Sequence, residues 1–135
     1  MAFHVTTHPL RFCDTDKLGH VNNAVYAVMI EAGRADMLAH SSLLSLEGGR
    51  APVIVRLEID FIREMSWPGE VRVESAVTRI GGKSFHLRHR LIQHGEVAGR
   101  GLAILAVMDM TTRRAVPITP AWHEELSAYF DPDFT

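Results

Sequence analysis

The sequence predicts an α+β domain: one long apolar helix over residues 24 to 40, a segment at 53 to 61 that alternates apolar and charged side chains, and glycine-bearing turns at Gly81-Gly82 and His94-Gly95. An apolar helix beside a run of turn-linked strands, about five in all, segregates helix from antiparallel sheet. Periodicity alone leaves several α+β folds open.

The elements follow in order. Residues 3 to 11 form an opening strand. The run RFCDTDKLGHVNNAVY at 11 to 26 then carries two carboxylates, a glycine turn and an Asn pair straight into the helix. Asn22 or Asn23 caps that helix near Ala24, because a short amide accepts hydrogen bonds from the first free backbone N–H groups. The helix start lies close to Asp14 and Asp16, with Gly19 as the turn between. A helix N-terminus favours negative charge, so this loop is suited to hold a carboxylate and polarise a carbonyl in one place. Cys13 sits beside two carboxylates that disfavour its thiolate, and it reads as a small packing residue near a strand end.

Within the helix, Val25, Val28, Met29, Ile30, Ala32, Ala35, Met37 and Leu38 spread around the circumference, which predicts a largely buried helix. Gly33 costs roughly 1 kcal/mol there relative to Ala, and close approach of another backbone is the reason to keep it. The segment SSLLSLEGGRA at 41 to 51 is a mobile loop. Val53, Val55, Leu57, Ile59 and Phe61 alternate with Arg56, Glu58 and Asp60 as a strand with one buried face, and Trp67-Pro68-Gly69 breaks it. Val71, Val73, Ser75 and Val77 define a third strand, and residues 84 to 93 a fourth. Residues 97 to 108 are apolar nearly throughout after Arg100, the pattern of a central strand covered on both faces. Thr119 and Pro120 open a short helix that packs Trp122, Leu126 and Phe130.

A chain of 135 residues with 47% hydrophobic content makes one domain over residues 1 to 135. The net charge of −2 supplies no general attraction to nucleic acid or an anionic membrane. One cysteine excludes an internal disulfide. The start MAFHVTTHPL lacks the basic and apolar regions of a secretory signal, and no apolar run reaches the ~20 residues of a membrane span, so a cytoplasmic location is expected. Eight histidines invite a metal reading, but His86 and His89 fall on opposite faces of a strand and no H-E-x-x-H or C-x-x-C pattern exists.

The string D-T-D-x-x-G-H-V-N-N-x-x-Y from Asp14 to Tyr26, followed by Glu31 and Arg34, resembles the signature of the 4-hydroxybenzoyl-CoA thioesterase-like branch of the hotdog-fold acyl-CoA thioesterases. VRLEIDFIREMSWPGEV at 55 to 71 and Gly-Lys-Ser-Phe at 82 to 85 extend the resemblance over most of the chain. It implies the hotdog fold, a long helix wrapped by a curved antiparallel sheet. It further implies a homodimer or homotetramer with the active site at a subunit interface.

The implied reaction hydrolyses an acyl-CoA to a carboxylic acid and CoA, without metal or redox cofactor. The resemblance places the catalytic carboxylate on Asp16, as general base or as nucleophile, and leaves Asp14 to organise the loop. Backbone N–H groups near Asn23 and Ala24 would bind the oxyanion, with His20, Asn22, Asn23 and Tyr26 shaping the pocket. For CoA, Ser84, His86, Arg88 and Arg90 share one face of the fourth strand and Lys83 precedes it at a turn. The family's use of the Gly-Lys-Ser-Phe region points to Lys83, Ser84 and Arg88. Leu43, Leu44 and Leu46 either cover the acyl group or finish the core. The competing activities are a non-catalytic acyl-CoA-binding module and an acyl carrier protein thioesterase, while a hydratase fits the signature less well.

Overall fold

The computed structural model describes residues 3–39, 41–44 and 47–135. Its elements are β1 (His4–Pro9), a 3-10 turn (Phe12–Asp14), α1 (Asn23–Leu38), 3-10 turns at Ser42–Leu44 and Glu47–Gly49, β2 (Arg50–Phe61), β3 (Glu70–Ile80), β4 (Ser84–Gln93), β5 (Glu96–Asp109), β6 (Arg114–Ala115) and α2 (Pro120–Ser127). The named strands all pair antiparallel, in the order β1-β3-β4-β5-β2, with the two-residue β6 added to β5. The His94-Gly95 turn has positive φ at both residues (54° and 75°), the hairpin geometry that matches strand twist.

Register decides what α1 meets. Val73 and Ser75 of β3, His89 and Leu91 of β4, and Gly99 and Gly101 of β5 stand in line across the sheet, with Ile59 and Phe61 of β2 completing the rows. A Cβ on Gly33 would collide with Val73, and one on Gly101 would lie 2.5 Å from Ile30 Cδ1. Gly33 thus sits where α1 closes on β3, but what it approaches are the Val73 and Ser75 side chains and not the backbone expected from the sequence. Gly33→Val is expected to destabilise the fold by about 2–3 kcal/mol through overpacking against a β-branched neighbour, measured by urea denaturation.

The core falls into two ends. Tyr26, Ile30, Met65, Val73 and Leu91 pack around the start of α1, and Met37, Leu38, Leu43, Phe85, Trp122 and Leu126 around its finish. Leu43 is fully buried and belongs to the core, whereas Leu46 and the side chain of Leu44 lie outside the described residues.

Several expectations are corrected. The opening strand is His4–Pro9, and Cys13 lies exposed in the following 3-10 turn instead of packing at a strand end. Helix α1 ends at Leu38, and its buried residues Tyr26, Met29, Ile30, Gly33, Met37 and Leu38 form one stripe, with Val28 and Ala35 exposed, because the sheet wraps one side only. Strand β5 is central but from Gly99 onward buries only alternate residues, for no layer among the described residues packs fully across its other face. Thr119 does cap α2, its hydroxyl accepting from the Trp122 N–H, but Phe130 lies past the helix end and is 40% exposed.

Strand β2 departs furthest. It starts at Arg50, carries a bulge between Ile54 and Arg56, and forms an edge of the sheet. Its alternating apolar residues are not buried as the period of two predicts: Val55 is 59% exposed, Leu57 39% and Phe61 52%. The pattern is that of a half-buried strand, while the described residues supply no partner on that side. No helix among the described residues is long and apolar enough to cross a membrane.

Candidate active site

Between β1 and α1 the chain makes a tight loop held by backbone bonds. Thr15 bridges Val21, the Val21 N–H donates to the Met65 carbonyl at 2.8 Å, and the Asn22 N–H donates to the Asp14 carbonyl at 2.8 Å. Gly19, at φ 80°, makes the reversal that an L side chain would strain.

The two carboxylates have different surroundings. Asp14 is buried and accepts from the Arg11 backbone N–H at 2.8 Å and from Arg11 Nη2 at 2.9 Å. The Arg11 guanidinium holds the Asp14 carboxyl below the usual carboxylate range. It organises the loop. Asp16 is exposed, and its Oδ1 accepts from the N–H groups of Leu18 (2.8 Å) and His20 (3.2 Å). Those bonds aim the carboxylate while Oδ2 keeps its lone pairs.

Asn22 caps the helix, accepting from the Ala24 N–H at 2.9 Å. That bond removes Ala24 from the expected pair of oxyanion donors. The Asn23 N–H has no partner among the described residues, and it stands at the positive end of α1.

Asp16, His20, Asn23 and Tyr26 line one cleft of about 280 Å³, so the structure brings together four of the expected pocket residues. The Tyr26 hydroxyl donates to the Arg63 carbonyl at 2.7 Å, and its ring meets Phe61 edge-on with centroids 4.9 Å apart. Burial pushes the Tyr26 phenol up, so it stays a neutral donor. The sequence reading missed the opposite wall, Phe61 to Glu64. There Glu64 Oε2 accepts from His20 Nε2 at 2.9 Å, fixing the imidazole over the cleft. The signal available was modest: Glu64 and Arg63 interrupt the strand pattern just before Pro68.

Lys83, Ser84 and Arg88 are not at this cleft. Ser84 pairs with Ala106 of β5 whereas the cleft end of the sheet is marked by the Leu91–Gly99 pair, seven residues or roughly 23 Å away. Ser84, His86, Arg88 and Arg90 do share a face, the one turned from α1, and Arg88 there shares a cavity with Glu58, Asp60 and Arg100.

A long helix in the hollow of an antiparallel sheet, with a carboxylate loop at its N-terminus opening on a cleft, defines a hotdog-fold thioester hydrolase. A family model described as the thioesterase-like superfamily matches residues 10–126, and the chain belongs to that superfamily. The structure is similar to that of a predicted thioesterase from Bacillus stearothermophilus, with 29% identity and a TM-score of 0.88 over 96% of this chain and 98% of the other. It shares its fold with a DHNA-CoA thioesterase from Staphylococcus aureus, at 23% identity and a TM-score of 0.84 over 94% and 90%. The Bacillus subtilis (strain 168) protein YsmA is 24% identical over 119 residues, 87% of this chain and 80% of YsmA.

Proposed function

We propose that this protein hydrolyses acyl-CoA thioesters and that Asp16 is the acting carboxylate. The observation that carries the reading is the placement of the Asp16 carboxylate and the unpaired Asn23 N–H on one cleft. A thioester carbonyl seated between them meets a donor for its developing oxyanion and a carboxylate for water or direct attack. As general base, Asp16 takes a proton from water while the water oxygen bonds to the carbonyl carbon. As nucleophile, it forms an aspartyl anhydride that water then opens. In both routes the CoA thiolate departs. His20, held by Glu64, and Tyr26 shape the entrance. A screen of short, long, branched and aromatic acyl-CoAs with free-thiol readout tests the activity, and absence of turnover on every one would leave the acyl-CoA-binding module as the better reading.

The working unit is a homodimer joined along β2. An exposed apolar edge strand is an unmatched surface that a second copy can pair. An antiparallel two-fold centred near Leu57 would set Arg56 opposite the partner's Glu58, with the strand start, beyond the Ile54/Arg56 bulge, near the far end of the partner's strand. It also carries the partner's β4 start to within about three strand spacings, roughly 14 Å, of the Asp16 cleft. CoA phosphates are then assigned to Lys83 and Ser84 of the partner subunit, with Arg88 a weaker contact because Glu58 and Asp60 line its cavity. Lys83→Ala is expected to raise KM several-fold with little change in kcat, Arg88→Ala less so, and the Lys83 effect should shrink with added salt. Steady-state kinetics at two ionic strengths checks this, and an unchanged KM at low salt would move CoA elsewhere.

A further inference from the structure

The cleft wall that carries Glu64 is fastened on both sides of that residue. The Tyr26 hydroxyl donates to the Arg63 carbonyl at 2.7 Å, and the Val21 N–H donates to the Met65 carbonyl at 2.8 Å. Ser66 bridges His20, and the buried Gln93 side chain accepts from the Ser66 N–H and donates to the Ser66 carbonyl, each at 2.9 Å. Across the cleft, His20 is locked to Asp16. The Asp16 N–H donates to the His20 carbonyl at 2.8 Å, and the His20 N–H donates to Asp16 Oδ1 at 3.2 Å. The contact of Glu64 Oε2 with His20 Nε2 at 2.9 Å therefore joins two fixed segments, unlike a surface pair whose partners both swing freely.

Asp16 serves the first half of the nucleophilic route but not the second. Its carboxylate oxygen bonds to the thioester carbonyl carbon, the C–S bond breaks and the CoA thiolate departs, which leaves Asp16 as an acyl anhydride. The water that opens the anhydride must then lose its proton to another group. Of the titratable side chains that line the cleft, burial keeps the Tyr26 phenol protonated, and Arg63 is a cation paired with Glu96 at 3.0 Å. His20 and Glu64 remain. A neutral imidazole is the stronger base of these two side-chain types, and the Glu64 carboxylate beside Nε2 places the ring proton there. His20 Nδ1 has no hydrogen-bond partner among the described residues, so its lone pair is open to water.

We infer that His20 is the general base of the second half-reaction, taking a proton from the water that opens the Asp16 anhydride, and that Glu64 is the residue that positions it. The water oxygen bonds to an anhydride carbonyl carbon, the C–O bond of the anhydride breaks, and Asp16 is regenerated as the acid product leaves. One proton goes to His20 Nδ1, and the second ionises from the new carboxyl group to solvent. This deepens the proposed thioesterase and rests on its nucleophilic route.

Pre-steady-state thiol release, with saturating amounts of the acyl-CoA that the wild type turns over fastest, reads the two halves apart. His20→Ala should release about one thiol per active site in a burst and then turn over on the order of 10² to 10⁴ more slowly than the wild type. Intact mass of the quenched variant should show the acyl group retained, and imidazole in the buffer should restore part of the steady rate. Glu64→Gln alters a side chain that is 73% exposed and should fold normally. Its kcat should fall about tenfold with kcat/KM unchanged, because only a step after thiol release is slowed, and Glu64→Asp should recover part of the loss.

Absence of a burst in His20→Ala, or a fall in kcat/KM that matches the fall in kcat in both variants, would overturn the assignment while the thioesterase reading stands. A wild type that releases no thiol from any acyl-CoA would remove the thioesterase reading, and this assignment with it.

Discussion

Asp16→Ala should fold as the wild type does and lose on the order of 10² to 10⁴ in kcat, the range for removing a positioned acid, base or nucleophile. The Asp16 side chain is exposed and accepts only from its own loop, so its loss leaves the core untouched. Asp14→Ala should behave differently. It deletes a buried carboxylate that holds Arg11 and shapes the loop, so stability should fall, with a smaller loss in kcat than at Asp16. Stopped-time thiol assays with circular dichroism on both variants make the comparison. Single-turnover hydrolysis in ¹⁸O-labelled water separates the two routes: an anhydride opened at the aspartyl carbonyl leaves unlabelled oxygen in the first product, whereas direct attack by water labels it at once. Full activity in a folded Asp16→Ala protein would sink both.

Leu57→Lys should convert the protein to a monomer and remove at least 99% of its activity, because the proposed site needs groups from two chains. The substitution adds a charge to an edge strand at a side chain 39% exposed in the single chain, so the monomer should retain its fold. Light scattering over a dilution series and thiol release measure the two effects together. A wild-type protein that stays at one chain's mass at micromolar concentration would remove the interfacial site, and a fully active Leu57→Lys monomer would confine catalysis to one subunit.

Much of the site was legible because its instructions are local. An Asn before an apolar run is a cap wherever the chain goes, and Gly19 makes its turn with only neighbours involved. The D-T-D string therefore points to the loop that the structure displays, with Asp16 on the cleft and Asp14 turned inward to Arg11. The far wall was not legible, since Glu64 meets His20 only after β2 has run the length of the sheet.

By itself the sequence determined the helix and its cap, the five main strands, the glycine at the α1–β3 approach and the alternation that places His86 and His89 on opposite faces. These depend on backbone preference, steric fit and side-chain period, all of which act over a few residues. Only the tertiary structure decided that Ala24 is spent on the cap while Asn23 keeps its N–H, and that Lys83 stands at the opposite end of the sheet from Asp16. It also decided that the apolar residues of β2 are left open. An alternating pattern records that a face is to be covered; strand order and register decide what is available to cover it.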